Sequence, residues 1–190
     1  RNHFEGYAHD PYSFGLNGSE PWRPISVFRT YEAHILQVRP WMPREIGDVI
    51  YVAFGMACLS CFMPFYQGLD QVPAAFGEGT DHADDKSIYW KFRKLQTLAM
   101  TDFPTLAPIV QKKFAEHEAA MSEKQSAMEK EYTSLYATDK QAAHDLLQKF
   151  NLEVFEETEE VIDGLMKELF TVLTTKIEKE NFFANKKMKD

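Results

Sequence analysis

The 190-residue sequence predicts an α+β fold in which a few antiparallel strands precede long C-terminal helices. Two observations support this class. β-Branched and aromatic residues alternate along residues 25–38, as they do in strands with two different faces. From about residue 84, apolar residues recur at a spacing near 3.6, which is typical of amphipathic helices. We therefore predict one structural domain with a loop and strand part over residues 1–83 and a helical part over residues 84–190.

The first part contains three predicted strands, over about 25–38, 48–55 and 59–65. The second strand, DVIYVAFG, is apolar on both faces, which is typical of a strand lying between two layers. The chain supplies helices for only one of those layers, and an uncovered apolar sheet face promotes aggregation. We therefore expect another part of the same gene product, or a second copy of the chain, to complete the sheet.

Arg29 lies in the more apolar row of the strand predicted over residues 25–38, so we expect it to face the core. A guanidinium keeps its charge and is rarely buried without a partner. The strand therefore predicts either an anionic ligand at Arg29 or a structural ion pair with Glu5, Asp10 or Glu32.

Three apolar stripes define the predicted helices, from residue 84 or 85 to 103, from 102 or 105 to 136, and from 138 to 180. Thr138 and Gln141 have the spacing of a capping box at the start of the third helix. At a rise of about 1.5 Å per residue, the last two helices are about 45–60 Å long. We expect them to pair as an antiparallel hairpin.

Composition excludes several functional classes. The net charge of −8 argues against nucleic acid or an anionic membrane as the main partner, since both require a basic surface. No apolar run approaches the length of a membrane span, and the N-terminal RNHFEGYAHD is too polar for a secretion signal. We therefore expect a cytoplasmic protein. Because the sequence begins with Arg1 and not Met, we also expect a processed product or the back part of a longer protein.

The sequence predicts no metal site or cofactor. Cys58 and Cys61 form a C-x-x-C pair, but they fall in the run VIYVAFGMACLSCFMPFY, which is typical of buried strand, where residues three apart face opposite sides. We therefore predict two packed, reduced thiols, with a redox or metal site as the alternative. The six histidines lack helical ligand spacing, and the acidic run over residues 153–163 is typical of a solvated helix face.

Four stretches occur in a distinctive order: RNHFEGYAHDPYSFG, PISVFRTYEAHILQVRPWMPREIGDVIYVAFG, CFMPFYQGLDQVP and SIYWKFRKLQTLA. Together they resemble the C-terminal part of the bacterial dipeptidase A family, over about residues 1–180. These are cysteine dipeptidases of the N-terminal-nucleophile hydrolase superfamily, which also includes the secernins. The resemblance implies a partial αββα sandwich, two sheets packed face to face with helices outside, and metal-free hydrolysis of short peptides.

One departure from the family pattern concerns the nucleophile. In the family, this is a Cys at the first position of the mature chain, whose own α-amino group takes the thiol proton. Residue 1 here is Arg, and neither Cys58 nor Cys61 has a free amine. The resemblance therefore implies a C-terminal segment that is inactive alone and has the missing N-terminal segment as its partner. It also implies a catalytic pocket role for Arg29, which would hold the thiolate.

A second class of function remains open. The apolar stripe continues from residue 143 to 177, so the helical hairpin is also compatible with a non-enzymatic interaction or dimerisation module. Homo-oligomerisation is expected in either case, since a long helical hairpin and an exposed sheet both favour association.

Overall fold

The structure, a computed structural model, describes residues 26 and 28–187, with the backbone alone for 182–187. The strands are β1 (Glu32–Val38), β2 (Asp48–Phe54) and β3 (Met63–Tyr66). The helices are α1 (Arg44–Gly47), α2 (Ile88–Met100), α3 (Phe103–Tyr136) and α4 (Lys140–Lys187). The predicted α+β class is confirmed, with a three-stranded antiparallel sheet followed by long helices.

The sheet has the order β1-β2-β3, and its register places residues of one parity on one face. Leu36 lies opposite Ile50, which lies opposite Phe65. On the other face, Ile35 lies opposite Tyr51, which lies opposite Pro64. Each face therefore carries a row of apolar side chains running across all three strands.

The start of β1 differs from the prediction. The strand begins at Glu32, whereas Phe28 and Arg29 lie in a turn and Arg29 is exposed. The expectation that Arg29 belongs to a strand and faces the core is therefore wrong for the described structure. The physical reason lies in α2, where the Arg93 guanidinium stacks 4.0 Å from the Phe28 ring centroid and donates a hydrogen bond to the Phe28 carbonyl. That carbonyl is engaged by a helix instead of a neighbouring strand.

α3 and α4 form the predicted antiparallel hairpin. Asp102, just before α3, accepts a hydrogen bond from Lys176 near the end of α4 at 2.6 Å. Further along, His117 of α3 lies 2.8 Å from the hydroxyl of Thr158. At about 1.5 Å per residue, the 34 residues of α3 span about 51 Å and the 48 of α4 about 72 Å. α4 is therefore longer than its partner.

The predicted capping box at the start of α4 is wrong. Asp139 supplies the cap, since its Oδ1 accepts a hydrogen bond from the backbone N–H of Ala142 at 3.0 Å. The Thr138 hydroxyl instead donates backward to the Leu135 carbonyl, and Gln141 donates to Asp145 at 2.8 Å. The chain turns one residue later than the sequence pattern indicates.

α4 covers the β3 edge of the sheet. Asn151 Nδ2 donates a 2.7 Å hydrogen bond to the carbonyl of Pro64. On one side of that contact the rings of Phe65 and Phe155 lie 5.0 Å apart, and on the other Tyr66 packs against Phe150. This edge therefore has both its backbone and its side chains engaged by a helix.

The strand predicted to lie between two layers, β2, is covered unequally. Val49 and Ala53 are buried, whereas Ile50, on the opposite face, remains 43% exposed. The core takes side chains from both faces of the sheet, with Val49 and Tyr66 on one face and Met63 on the other. The described residues therefore cover each face of β2 only in part, since Tyr51, on the same face as Val49, is half-buried.

Candidate functional site

A polar cluster lies between the sheet and α3, formed by Arg39, Tyr51, Tyr66, Gln125 and Glu129. Arg39 directly follows β1, and its guanidinium makes a two-pronged pair with Glu129, with N···O distances of 2.7 and 2.8 Å. Tyr66 of β3 donates to Glu129 Oε1 at 2.6 Å. Gln125, one turn earlier on α3, donates to the hydroxyls of Tyr66 at 2.7 Å and Tyr51 at 2.9 Å. All three strands are thereby tied to one helix.

The electrostatics of this Arg39–Glu129 cluster favour a charged pair beside a neutral phenol. Burial alone raises the pKa of Glu129, but hydrogen bonds from Arg39 and Tyr66 outweigh it and hold the pKa below its usual value. Burial, reinforced by the neighbouring carboxylate, raises the pKa of Tyr66. At neutral pH Glu129 is therefore an acceptor and Tyr66 a donor. The side chains of Arg39 and Glu129 are only 11% and 13% exposed, so solvent screens the pair weakly.

An open groove of about 390 Å³ adjoins the cluster, between the β1 and β2 face and α3. Its walls include Ile35 and Met121, and its polar groups include Gln37, Glu118 and Gln125. Glu118 Oε1 accepts the backbone N–H of Phe62 at 2.7 Å. These groups form hydrogen bonds, and the residues lining the groove include no nucleophile paired with a base. The arrangement is suited to holding strands in place or to binding a polar group.

Sequence reasoning missed this cluster. The available signal was the pair of polar residues Gln125 and Glu129, four apart on the stripe of α3 that also carries buried Met121, Met128 and Tyr132. Its partner Arg39 lies 90 residues earlier, so no local pattern connects the two.

Arg29, the predicted catalytic pocket residue, lies in the exposed turn before β1. Of its predicted ion-pair partners, Glu5 and Asp10 lie outside the described residues. Glu32 instead lies 3.1 Å from His34, measured from Oε1 to Nδ1. The pocket role of Arg29 therefore stays a prediction.

The two cysteines are free, as predicted, but neither lies in a strand. Cys58 belongs to the short 3-10 turn Ala57–Leu59, and its backbone N–H donates to the Ser26 hydroxyl at 2.8 Å. Burial raises the pKa of both thiols, and for the fully buried Cys61 the nearby Glu118 carboxylate raises it further. Both thiols are therefore protonated at neutral pH, which is the unreactive form.

No group of three His, Cys, Asp or Glu side chains that could hold a metal ion occurs within the part of the chain that the structure describes. His144 instead bridges two carboxylates, with Nε2 at 2.9 Å from Asp70 and Nδ1 at 3.7 Å from Glu45. The acidic stretch of α4 is partly paired, since Glu159 lies 3.1 Å from Lys91. These clusters connect elements of the fold.

Comparison with known proteins identifies the class of protein to which this arrangement belongs. Residues 1–116 match Peptidase family C69. A probable dipeptidase of Salmonella dublin is 61% identical over 69 residues, which cover 36% of this chain and 16% of the relative. A probable dipeptidase B of Lactococcus lactis is 34% identical over 91 residues, covering 47% of this chain and 19% of the relative. Dipeptidase A of Lactobacillus helveticus is 30% identical over 106 residues, covering 54% and 22%.

The chain belongs to Peptidase family C69, because the match covers more than half of it. The predicted resemblance to bacterial dipeptidases is thereby confirmed. The aligned part of the chain spans between 16% and 22% of the length of these three relatives. Among the described helices, none is both long enough and apolar enough to cross a membrane.

Proposed function

We propose that this chain is the C-terminal segment of a cytoplasmic, cysteine-type dipeptidase with an N-terminal nucleophile. The observation that carries the proposal is the match of residues 1–116 to Peptidase family C69, together with relatives named as dipeptidases. The short coverage of those relatives and the partial cover of the sheet both support a segment of a longer polypeptide. The substrate class proposed is a short peptide, and no metal takes part.

In the proposed reaction, an N-terminal Cys outside this chain attacks the peptide carbonyl carbon. Its α-amino group, with a pKa of about 8, accepts the thiol proton and passes it to the leaving amine as the C–N bond breaks. Water then attacks the resulting thioester, which releases the acid and restores the thiol. Neither Cys58 nor Cys61 replaces this nucleophile, because each lacks a free amine and burial keeps both thiols protonated.

The contribution proposed for this chain is structural support and part of the pocket wall. The Arg39–Glu129 cluster holds the three strands on α3, so that the sheet keeps a defined shape up to its open β1 edge. Arg29 is proposed to extend from the turn before β1 toward the nucleophile supplied by the remainder of the protein. A partner layer outside this chain would then cover Arg29, which is exposed here.

The test compares this chain with the longer polypeptide of which it is proposed to be part. We expect the longer polypeptide to hydrolyse unmodified dipeptides, to lose activity on thiol alkylation and to retain it in EDTA. This chain alone is expected to be inactive, and mixing it with the missing N-terminal segment is expected to restore cleavage. The matched control is the double variant Cys58→Ala/Cys61→Ala, which should remain active and alkylation-sensitive. Activity in the isolated chain, or a loss of alkylation sensitivity in that variant, would contradict the proposal.

A second candidate, the non-enzymatic dimerisation module, is favoured by one observation. Residues 174–181 of α4 are all exposed, and Phe170 and Ile177 are each 55% exposed. Phe170 and Ile177 lie seven residues apart on α4, and exposed apolar side chains at that spacing are suited to packing against another helix. Light scattering tests the module, which should dimerise through α4 and return to a monomer on Phe170→Glu. The activity of the longer polypeptide distinguishes the two candidates.

A further inference from the structure

One edge of the sheet, the outer side of β1, presents backbone groups whose directions follow from its pairing with β2. The N–H of Gly55 donates to the Tyr31 carbonyl at 2.7 Å, and the N–H of Arg39 donates to the Gly47 carbonyl at 2.8 Å. In an antiparallel ladder, hydrogen-bonded pairs alternate with non-bonded pairs. Ile35 and Tyr51 are therefore also a hydrogen-bonded pair. The N–H and C=O groups that point away from β2 belong to Glu32, His34, Leu36 and Val38.

The apolar rows on both faces of the sheet become exposed to solvent where they reach β1. In the row on one face, Phe65 is half-buried, Ile50 is 43% exposed and Leu36 is 64% exposed. On the other face, Pro64 is buried, Tyr51 is half-buried and Ile35 is 53% exposed. Exposure rises in the direction of the β1 edge on both faces. The missing cover therefore lies beside β1 on both faces.

The two edges of the sheet differ in how they are covered. At β3, Asn151 donates a hydrogen bond to the backbone carbonyl of Pro64, and the rings of Phe65 and Phe155 pack beside that contact. At β1, no described strand pairs with the outer side. A seven-residue edge left open, with Ile35, Leu36 and Val38 exposed, favours uncontrolled pairing with other chains, and proteins normally cover or charge such edges. Within β1, only Glu32 carries a carboxylate, and it lies at the start of the strand beside His34.

We propose that a β-strand from outside this chain pairs with β1 through Glu32, His34, Leu36 and Val38. The occupant is a strand of the same polypeptide, apolar on both faces, from the part that the relatives have and this chain lacks. This inference rests on the proposed function, in which the chain is a segment of a longer protein. The length of polypeptide available supports it, since the matches cover only 16% to 22% of each relative.

A second copy of this chain fits the edge less well. If two copies of β1 pair antiparallel about Ile35, Leu36 of one lies opposite His34 of the other, and Val38 lies opposite Glu32. Neither pair is of the aromatic, hydroxyl or opposite-charge kinds that stabilise a sheet across strands. A strand with apolar residues at these positions would continue both rows and would bury Leu36 and Ile35 together.

Amide hydrogen exchange tests the proposal at single residues. In the longer polypeptide we expect the amides of Glu32, His34, Leu36 and Val38 to exchange at least about 100-fold more slowly than in this chain alone. The inward amides of Ala33, Ile35 and Gln37 serve as the internal control, since β2 protects them in both. Fast exchange of the four outward amides in the longer polypeptide would overturn the proposal.

Protection in this chain alone would also overturn it. If that protection increases with concentration, a second copy occupies the edge. If it is independent of concentration, residues of the same chain do. Exchange is measured without any substrate, so an inactive polypeptide with protected outward amides would contradict the proposed function and leave this inference standing.

Two variants separate the backbone from the side chain. Leu36→Pro removes an outward N–H and spares the hydrogen bonds to β2, so it should weaken association of this chain with the separately expressed remainder at least about tenfold. Leu36→Thr keeps the N–H and the β-propensity and should associate more tightly than Leu36→Pro. Both variants should keep the circular dichroism of the parent chain. Equal affinities for the parent chain and Leu36→Pro would contradict strand pairing at this edge.

Discussion

The side-chain amide of Gln96 encloses Gly55 at the end of β2. Its Nε2 donates to the Phe54 carbonyl at 2.9 Å, and its Oε1 accepts the backbone N–H of Met56 at 3.0 Å. Gly55 has φ +70°, a conformation that L residues with a side chain rarely adopt. A Cβ at this position would overlap Gln96 Oε1. A helix glutamine therefore holds the chain where it leaves the sheet, and glycine is required there for two separate reasons.

Replacing Gly55 by Ala should lower the free energy of unfolding by more than about 2 kcal/mol, from backbone strain and the overlap with Gln96. The matched control is Gly164→Ala on α4, where a Cβ meets nothing within 4 Å. That variant should stabilise the chain by about 0.5–1 kcal/mol, because alanine favours the helix. Urea unfolding measures both. Equal effects of the two substitutions would contradict the role given to Gly55.

Arg39→Ala should destabilise the chain by about 3 kcal/mol, because it leaves Glu129 charged and buried without its main partner. The control is Lys112→Ala, which removes an exposed pair with Glu116 and should cost less than about 0.5 kcal/mol. Urea unfolding compares the two variants. A loss of similar size in both would show that the Arg39–Glu129 cluster does not hold the sheet on α3.

Acid should weaken the same cluster. The hydrogen bonds from Arg39 and Tyr66 outweigh burial and hold the pKa of Glu129 below its usual 4.5. A group with a depressed pKa stabilises the fold above its unfolded pKa, and that contribution is lost as pH falls through the folded pKa. Between neutral pH and pH values below 4.5, Glu129→Gln should therefore lose less stability than the parent chain. Parallel curves of unfolding free energy against pH would contradict this.

His144 should act in the opposite direction. Its hydrogen bond to Asp70, reinforced by Glu45, raises its pKa above 6.5. The resulting stability is fully present below pH 6.5 and is lost as pH rises through the folded pKa. His144→Gln should therefore reduce the stability difference between pH 6 and pH 8, measured by urea unfolding. The exposed His82→Gln is the control and should leave that difference unchanged.

Arg29→Ala tests the predicted pocket role in the longer polypeptide. Because Arg29 lies in an exposed turn, its removal should change the unfolding free energy by less than about 0.5 kcal/mol. If Arg29 holds the thiolate, kcat/KM for a dipeptide should nevertheless fall at least about tenfold. Arg44→Ala, also exposed, is the control and should leave activity unchanged. Unchanged turnover in Arg29→Ala would remove Arg29 from the site.

The helical part shows how far the sequence pattern extends. The stripes that predicted α3 and α4 work because residues three and four apart face the same neighbouring layer, so their polarity records which side is buried. The predicted end of α3 at Tyr136 agrees with the structure. The cap at Asp139 was missed because Thr138 and Asp139 are both good capping residues, and only the path of the turn selects one.

The strands show where that pattern becomes ambiguous. Alternation over residues 25–38 suggested one long strand, but the contact of Arg93 with Phe28 places the first residues of that stretch in a turn. The direction predicted for Arg29 depends on the alternation of side chains along a strand. Residues before Glu32 are not in a strand, so that alternation does not apply to Arg29. The Arg39–Glu129 pair could not be predicted, since it joins residues 90 positions apart that are brought together by packing.

By itself, the sequence determined the α+β class, the helical hairpin and the family to which the chain belongs. These depend on local periodicity and on short motifs, both of which can be recognised in the sequence. Only the tertiary structure decided which residues of the sheet are tied to α3, and which edge is closed by α4 and which is open at β1. Those features arise from contacts between distant segments, whose energies depend on three-dimensional approach and leave no local pattern in the sequence.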